Sequence, residues 1–147
     1  MKRIKEVYPK HPSPCNCMNI RRAAHAVTQF YDDVLAPSGL TTAQLGLLRH
    51  LEVTEHITMS ELARIMRIDR TTLSRNMKPL TDAELINVKP GKDSRTREIM
   101  LTQNGKAAML SGWMLWKEAQ KSIEEYMGEA DLVKLTQLLS KLEALVP

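Results

Sequence analysis

The side chains best placed to do chemistry are cations and hydroxyls spaced along one side of a short helix. In Asp69-Arg70-Thr71-Thr72-Leu73-Ser74-Arg75, helical spacing puts Arg70, Thr71, Ser74 and Arg75 opposite the apolar Leu73 and Met77. A guanidinium fork can meet a guanine edge or a phosphate in bidentate fashion. A threonine can meet a base edge or a thymine methyl. A second basic cluster, Lys89, Lys92, Arg95 and Arg97, surrounds a turn-rich stretch holding Pro90 and Gly91. Cations at such a tip can approach a flanking phosphate backbone or a minor groove. Both clusters suit a polyanion.

Cys15 and Cys17 are the other reactive groups. They fall at or just before the start of the first helix, where unpaired amides favour a thiolate. A direct bond between them would close a small strained ring. The bland alternative is that both are small packing residues. Metal binding has less support, since only His11 and His25 are near and no Cys-x-x-Cys spacing occurs. Neither a metal nor a cofactor is expected. The four histidines are scattered, with no Ser-His-Asp layout and no phosphate loop, so an enzyme is not expected either.

The 147 residues suffice for one ordinary core without a staple. Net charge is +4, unevenly spread. From Ile57 to Leu101 there are nine Lys/Arg against six Asp/Glu, and from Thr102 onward five against six. The basic surplus therefore sits in a central unit joined to a near-neutral scaffold. No apolar run approaches membrane-spanning length and no leader follows the basic start, so a cytoplasmic location is expected with no membrane partner.

Helices must position these groups. Residues 1–14, with three prolines, read as a flexible arm, and Ser13-Pro14 as a helix start. Ile20, Ala23, Ala24, Val27, Tyr31 and Val34 form a helical stripe that ends at Pro37 and Gly39. Thr41 with Gln44, and Thr58 with Glu61, are capping boxes opening two further helices. The first buries Leu45, Leu48 and Leu51; the second buries Leu62, Ala63, Ile65 and Met66. Asp69 then caps a helix running to Leu80, with Pro79 near its end. Thr81 with Glu84 also fits a capping box, but alternation at Ile86 and Val88 begins too soon for a helix. Ile86–Lys89 and Arg97–Leu101 read as a hairpin with a basic tip. Met109, Leu110, Trp113, Met114, Leu115 and Trp116 cover more than one face of the next helix, which Gly128 breaks. Leu132, Leu135, Leu139, Leu142 and Val146 make a coiled-coil-like seam.

Ser60-Glu61-Leu62-Ala63, the Asp69–Arg75 run, Asp93-Ser94-Arg95, and Leu101-Thr102 with Gly105 together resemble the helix-turn-helix and wing of the MarR family. The stretch from Leu35 to Leu51 resembles the segment joining that family's first two helices, so most of the chain from about Cys17 is covered. The resemblance implies a mainly α fold with a small β-hairpin wing, a winged helix-turn-helix with N- and C-terminal helices forming a dimerisation region. It implies a homodimer on double-stranded DNA. Ser60 and Thr72 join the DNA-contacting set of Arg70, Thr71, Ser74, Arg75, Lys92, Arg95 and Arg97. Asp93 and Arg95 match the family's Asp-x-Arg wing motif, with Asp93 orienting the wing as the partner of an arginine. Pro79 departs from the commonest pattern, which predicts a bend. Some relatives sense oxidants through an N-terminal cysteine, which makes Cys15 and Cys17 candidate redox sensors. Others take a small aromatic ligand, for which Tyr31, Met109, Trp113 and Trp116 are candidate pocket residues, although packing explains them equally well.

The expected organisation is an arm at 1–14 and one MarR-type domain at 15–147. Within it, 57–101 form the winged lobe, and 15–36 and 102–147 the dimerisation helices. The expected function is a sequence-specific transcription regulator, a repressor on a near-palindromic operator, modulated by a small molecule or by cysteine oxidation. The competing reading is a winged-helix protein-interaction module with no DNA role.

Overall fold

Cys15, not Ser13, caps the first helix. The computed structural model describes residues 4, 10–54, 56–93 and 95–147. The expected arm at 1–14 lies largely outside these, and so does Ser94 of the wing motif. Helix α1 spans Asn16–Leu35, two residues later than a Pro14 start requires. Ser13 is drawn off by a side-chain clasp. Its N–H donates to Asn19 Oδ1 at 2.7 Å, and Asn19 Nδ2 donates back to Ser13 O at 2.9 Å. A 3-10 turn, Ala36–Ser38, then closes on Gly39 at φ 76°, a left-handed conformation that glycine adopts without a Cβ penalty.

Local cap chemistry sets the next three helices. α2 (Thr42–Val53) and α3 (Met59–Met66) both open with complete capping boxes, on Thr41 with Gln44 and Thr58 with Glu61. α4 (Arg70–Asp82) opens on Asp69, whose carboxylate accepts from Thr72 N at 3.1 Å. α4 runs two residues past the expected Leu80 and carries Pro79 near its end. Proline removes only its own donor, and downstream Ala83 N donates to Pro79 O at 3.0 Å while Thr81 Oγ1 donates to Met77 O at 3.1 Å. Thr81 therefore caps nothing, and Glu84 takes φ 58° as the chain turns into the sheet.

The hairpin β2 (Ile86–Pro90) and β3 (Arg97–Leu101) pairs Ile86 with Leu101 and Val88 with Ile99, so the apolar side chains share a face. A third strand, β1 (Ile57–Thr58), pairs on the other edge of β3 through Ile57 and Ile99. Sequence reading misses it because two residues carry no alternation. Helix α5 (Gln103–Met127) starts on Thr102, which accepts from Gly105 N at 2.9 Å and donates to Glu84 O at 2.7 Å. A Cβ on Gly105 would lie 2.0 Å from Leu85 O, so only glycine lets α5 approach the sheet this closely. α6 (Glu129–Glu143) follows Gly128. It ends before Val146, which therefore falls outside the expected helical seam.

The core joins the winged lobe to α2, the end of α1 and the start of α5. Leu35, Leu45, Leu47, Leu48, Leu62, Leu73, Leu80, Ile86, Ile99 and Met109 are all sealed from solvent. Each contributes about 1.5–3 kcal/mol of burial. Leu47 joins the three expected leucines of α2, because that helix is covered on two sides, by the sheet and by α5. Ile65, expected inside, is exposed. Away from this core little of α1 and α6 is covered: no residue of α6 is buried, and α1 from Asn16 to Gln29 is exposed apart from a half-buried Asn19.

Candidate nucleic-acid interface

Leu73, Met77 and Leu80 anchor α4 in the core, which fixes the rotation of the helix about its axis. The opposite side then presents Arg70, Thr71, Ser74 and Arg75 to solvent, as the spacing predicts. Thr72 differs. It is half-buried, and its hydroxyl donates to Asp69 Oδ1. Its proton thus serves the cap rather than an external acceptor. Hydrogen bonds from the Thr72 side chain and backbone, in that order, hold the Asp69 carboxyl below the usual aspartate range. For Glu61 the bond from the Thr58 backbone comes first and that from its side chain second, and together they hold the carboxyl below the glutamate range. Ser60 is exposed in the first turn of α3, where free helix amides favour an anion.

The wing tip is built from backbone. Gly91 N donates to Thr96 O at 2.9 Å, and Thr96 N and Oγ1 both donate to Asp93 O. Asp93 Oδ1 accepts from Arg95 N at 3.1 Å. Its described bond is thus to the backbone N–H of Arg95. A two-residue loop bond forms readily, while the long arginine side chain is free to leave. Lys89, Lys92, Arg95 and Arg97 are all exposed.

These cations share a further property. Among the described ion pairs, none involves Arg70, Arg75, Lys89, Lys92, Arg95 or Arg97. The described pairs engage other cations: Arg49 with Glu52, Arg67 with Glu143, Lys78 with Asp82 and Lys121 with Glu125. The outer side of α4 and the wing thus present six cations outside the described ion pairs, an arrangement that suits a polyanion; Arg21, Arg22, Arg64, Lys106, Lys134 and Lys141 are outside those pairs as well.

The candidate sensors lie elsewhere. Cys15 and Cys17 are exposed free thiols at the start of α1. The four candidate pocket residues are engaged with the protein itself. Met109 is fully buried in the lobe core. Tyr31 donates to Gln120 Oε1 at 2.6 Å, and burial first, then the Glu124 charge, pushes its phenol above the ordinary value. Trp113 and Trp116 stack at 4.4 Å, with the Arg49 guanidinium 4.0 Å from the Trp113 ring centroid. No spacing rule could have found that contact, because Arg49 comes from α2. Among the described residues there is no cluster of three metal-ligating side chains and no helix long and apolar enough to cross a membrane.

The profile of the MarR family matches residues 38–96. A transcriptional regulator of M. tuberculosis, MosR, solved in complex with DNA, is 35% identical. The match covers 87% of this chain and 98% of MosR, with a TM-score of 0.72. The chain belongs to the MarR family. Two further solved structures show the same fold at lower identity. One is a cysteine-to-serine variant of MarR from E. coli complexed with operator DNA, with 22% identity, 84% and 89% of the two chains covered and a TM-score of 0.75. The other is BpsR of Bordetella bronchiseptica, whose regulation of DNA binding by 6-hydroxynicotinic acid was the subject of its structure; the values are 23%, 92% and 97%, and 0.79. Comparison with curated proteins yields no match. As a MarR-family protein the chain is a winged-helix, DNA-binding transcription regulator and not an enzyme.

Proposed function

We propose that this MarR-family protein is a homodimeric repressor of a near-palindromic operator, with Arg70, Thr71, Ser74 and Arg75 of α4 entering the major groove. The observation that carries this reading is the unpaired charge on α4 and the wing. Arg70 and Arg75 read base edges or grip phosphate. Ser60 and the α3 N-terminus hold backbone, and Lys92, Arg95 and Arg97 reach the flanking groove. Thr72 positions the helix through the Asp69 cap, and Asp93 orients the wing by shaping its turn.

The second copy is argued from α1, α5 and α6. Ile20 and Val27 on α1, Leu110 and Met114 on α5, and Leu135, Leu138, Leu139 and Leu142 on α6 are each more than a third exposed. A 15-residue helix with no buried residue is marginal alone. A second copy of the same helices supplies the missing apolar face, and brings two α4 helices to half-sites about 10 bp apart. Repression follows if the occupied operator blocks a promoter.

For control, the exposure of Cys15 and Cys17 supports oxidation. A peroxide oxygen passes to a thiolate, giving a sulfenic acid and hydroxide. A second thiol, on the partner subunit, then displaces water to form a disulfide. A small aromatic effector remains the alternative, and the regulation of BpsR by 6-hydroxynicotinic acid is its precedent in this fold.

Selection from a pool of random duplexes tests the reading, run in reducing buffer and again after mild peroxide. A palindromic consensus is expected in reducing buffer, with affinity falling steeply as salt rises. Loss of that consensus after peroxide, and its retention in a Cys15→Ser, Cys17→Ser double variant, would assign the sensor to the thiols. A consensus indifferent to peroxide would direct attention to a small ligand. No enrichment would favour a protein-interaction module.

A further inference from the structure

Arg67 stands in the turn between α3 and α4, at φ 54° and ψ 43°, two residues ahead of the Asp69 cap. Left-handed backbone is costly for a residue with a Cβ, so the position is held by specific contacts. Its N–H reaches Ala63 O and Arg64 O. Its guanidinium Nη1 donates to Glu143 Oε2 at 3.1 Å. Glu143 lies 76 residues on and is the last residue of α6. The cation thus meets both a carboxylate and the negative end of the α6 dipole.

Among the described ion pairs, this is the one that joins α6 to the winged lobe. Packing does not fill the space beside it. A groove of about 880 Å³, lined by Arg64, Arg67, Leu142, Glu143 and Val146 among others, opens there. The lobe is therefore held to the end of α6 across a gap.

We propose that Arg67 and Glu143 are positioning residues forming a strut that sets the half-site spacing the dimer accepts. The inference rests on the dimeric, operator-binding reading above. In that reading α6 belongs to the dimer scaffold, and α4 begins three residues after Arg67. The strut ties the N-terminus of each recognition helix to the scaffold. Adding one base pair between half-sites moves them by about 3.4 Å along the duplex and also rotates them. A braced lobe resists that change, and an unbraced lobe follows it. Both partners are largely exposed, so each strut changes binding by only about two- to fivefold.

The test uses the duplex that the wild-type protein selects from a random pool, together with the same duplex carrying one central base pair more or one fewer. The wild type is expected to bind the altered spacings more weakly than the parent. Glu143→Gln is expected to shrink that penalty by about two- to fivefold per strut while remaining dimeric by sedimentation. Arg67→Glu should shrink it likewise, and the exchanged pair Arg67→Glu, Glu143→Arg should restore it. A Glu143→Gln protein with the wild-type spacing profile would overturn the strut, as would an exchanged pair that restores nothing. A wild type that selects no duplex defeats the regulator reading itself, so the two failures are distinguishable.

Discussion

The winged lobe and the helical arms are incomplete in opposite ways. The lobe, with α2 and the start of α5 packed onto it, seals an apolar core from Leu45 to Met109, and leaves Arg70, Arg75, Lys89, Lys92, Arg95 and Arg97 outside the described ion pairs, while Arg67 and Lys78 are paired. The arms differ in their apolar residues: Leu138, Leu139 and Leu142 on α6 are each more than 40% exposed. What each region lacks identifies its partner: a polyanion for the lobe and a second apolar surface for the arms. The difference also separates two kinds of stability. On the proposed dimer, the fold of the lobe is intrinsic, whereas that of α6 would depend on association and hence on protein concentration.

Paired substitutions can break this comparison. Leu73→Ala removes a fully buried side chain from the lobe and is expected to cost about 3 kcal/mol, independent of protein concentration. Leu139→Asp, in contrast, should leave the lobe folded and raise the dimer dissociation constant at least about a hundredfold. Thermal melts at several concentrations, with sedimentation, measure both. A concentration-dependent effect of Leu73→Ala, or a Leu139→Asp protein that dimerises normally, would erase the distinction.

A smaller effect sharpens it from the side of the lobe. Asp69 and Glu61 are both held below their ordinary pKa by cap hydrogen bonds. A lowered folded pKa gives stability that is present above the unfolded value, about 3.9 for Asp and 4.3 for Glu, and lost as pH falls through the folded value. The lobe should therefore weaken below about pH 4. An Asp69→Asn, Glu61→Gln double variant should show a shallower loss in its denaturant midpoint between pH 6 and pH 3. An unchanged slope would show that the caps carry none of it.

What was legible in the sequence was mostly local. Thr41, Thr58 and Asp69 announced their helices because a cap is settled within three residues. The same locality allowed Thr81 with Glu84 to be rejected, since strand alternation follows at once. The outward row of α4 followed from Leu73 and Met77, which lie within the same helix. Contacts made across the fold were not legible. β1 exists only because β3 offers an edge. Leu47 is buried because α2 is covered on a second side, whereas Ile65 lies on the face of α3 that Ser60, Glu61 and Arg64 share in solvent. Arg49 on Trp113, and Arg67 on Glu143, join distant segments whose meeting no periodicity encodes.

On the proposed function, unpaired charge on α4 grips DNA while the arms hold the second copy. Titration of the selected duplex with an Arg70→Ala, Arg75→Ala double variant, alongside its sedimentation, tests this most directly. DNA binding weakened by a hundredfold or more, with the dimer intact, is the predicted result. Unchanged affinity in a folded dimer would contradict it, and would leave the winged lobe as a surface for another protein.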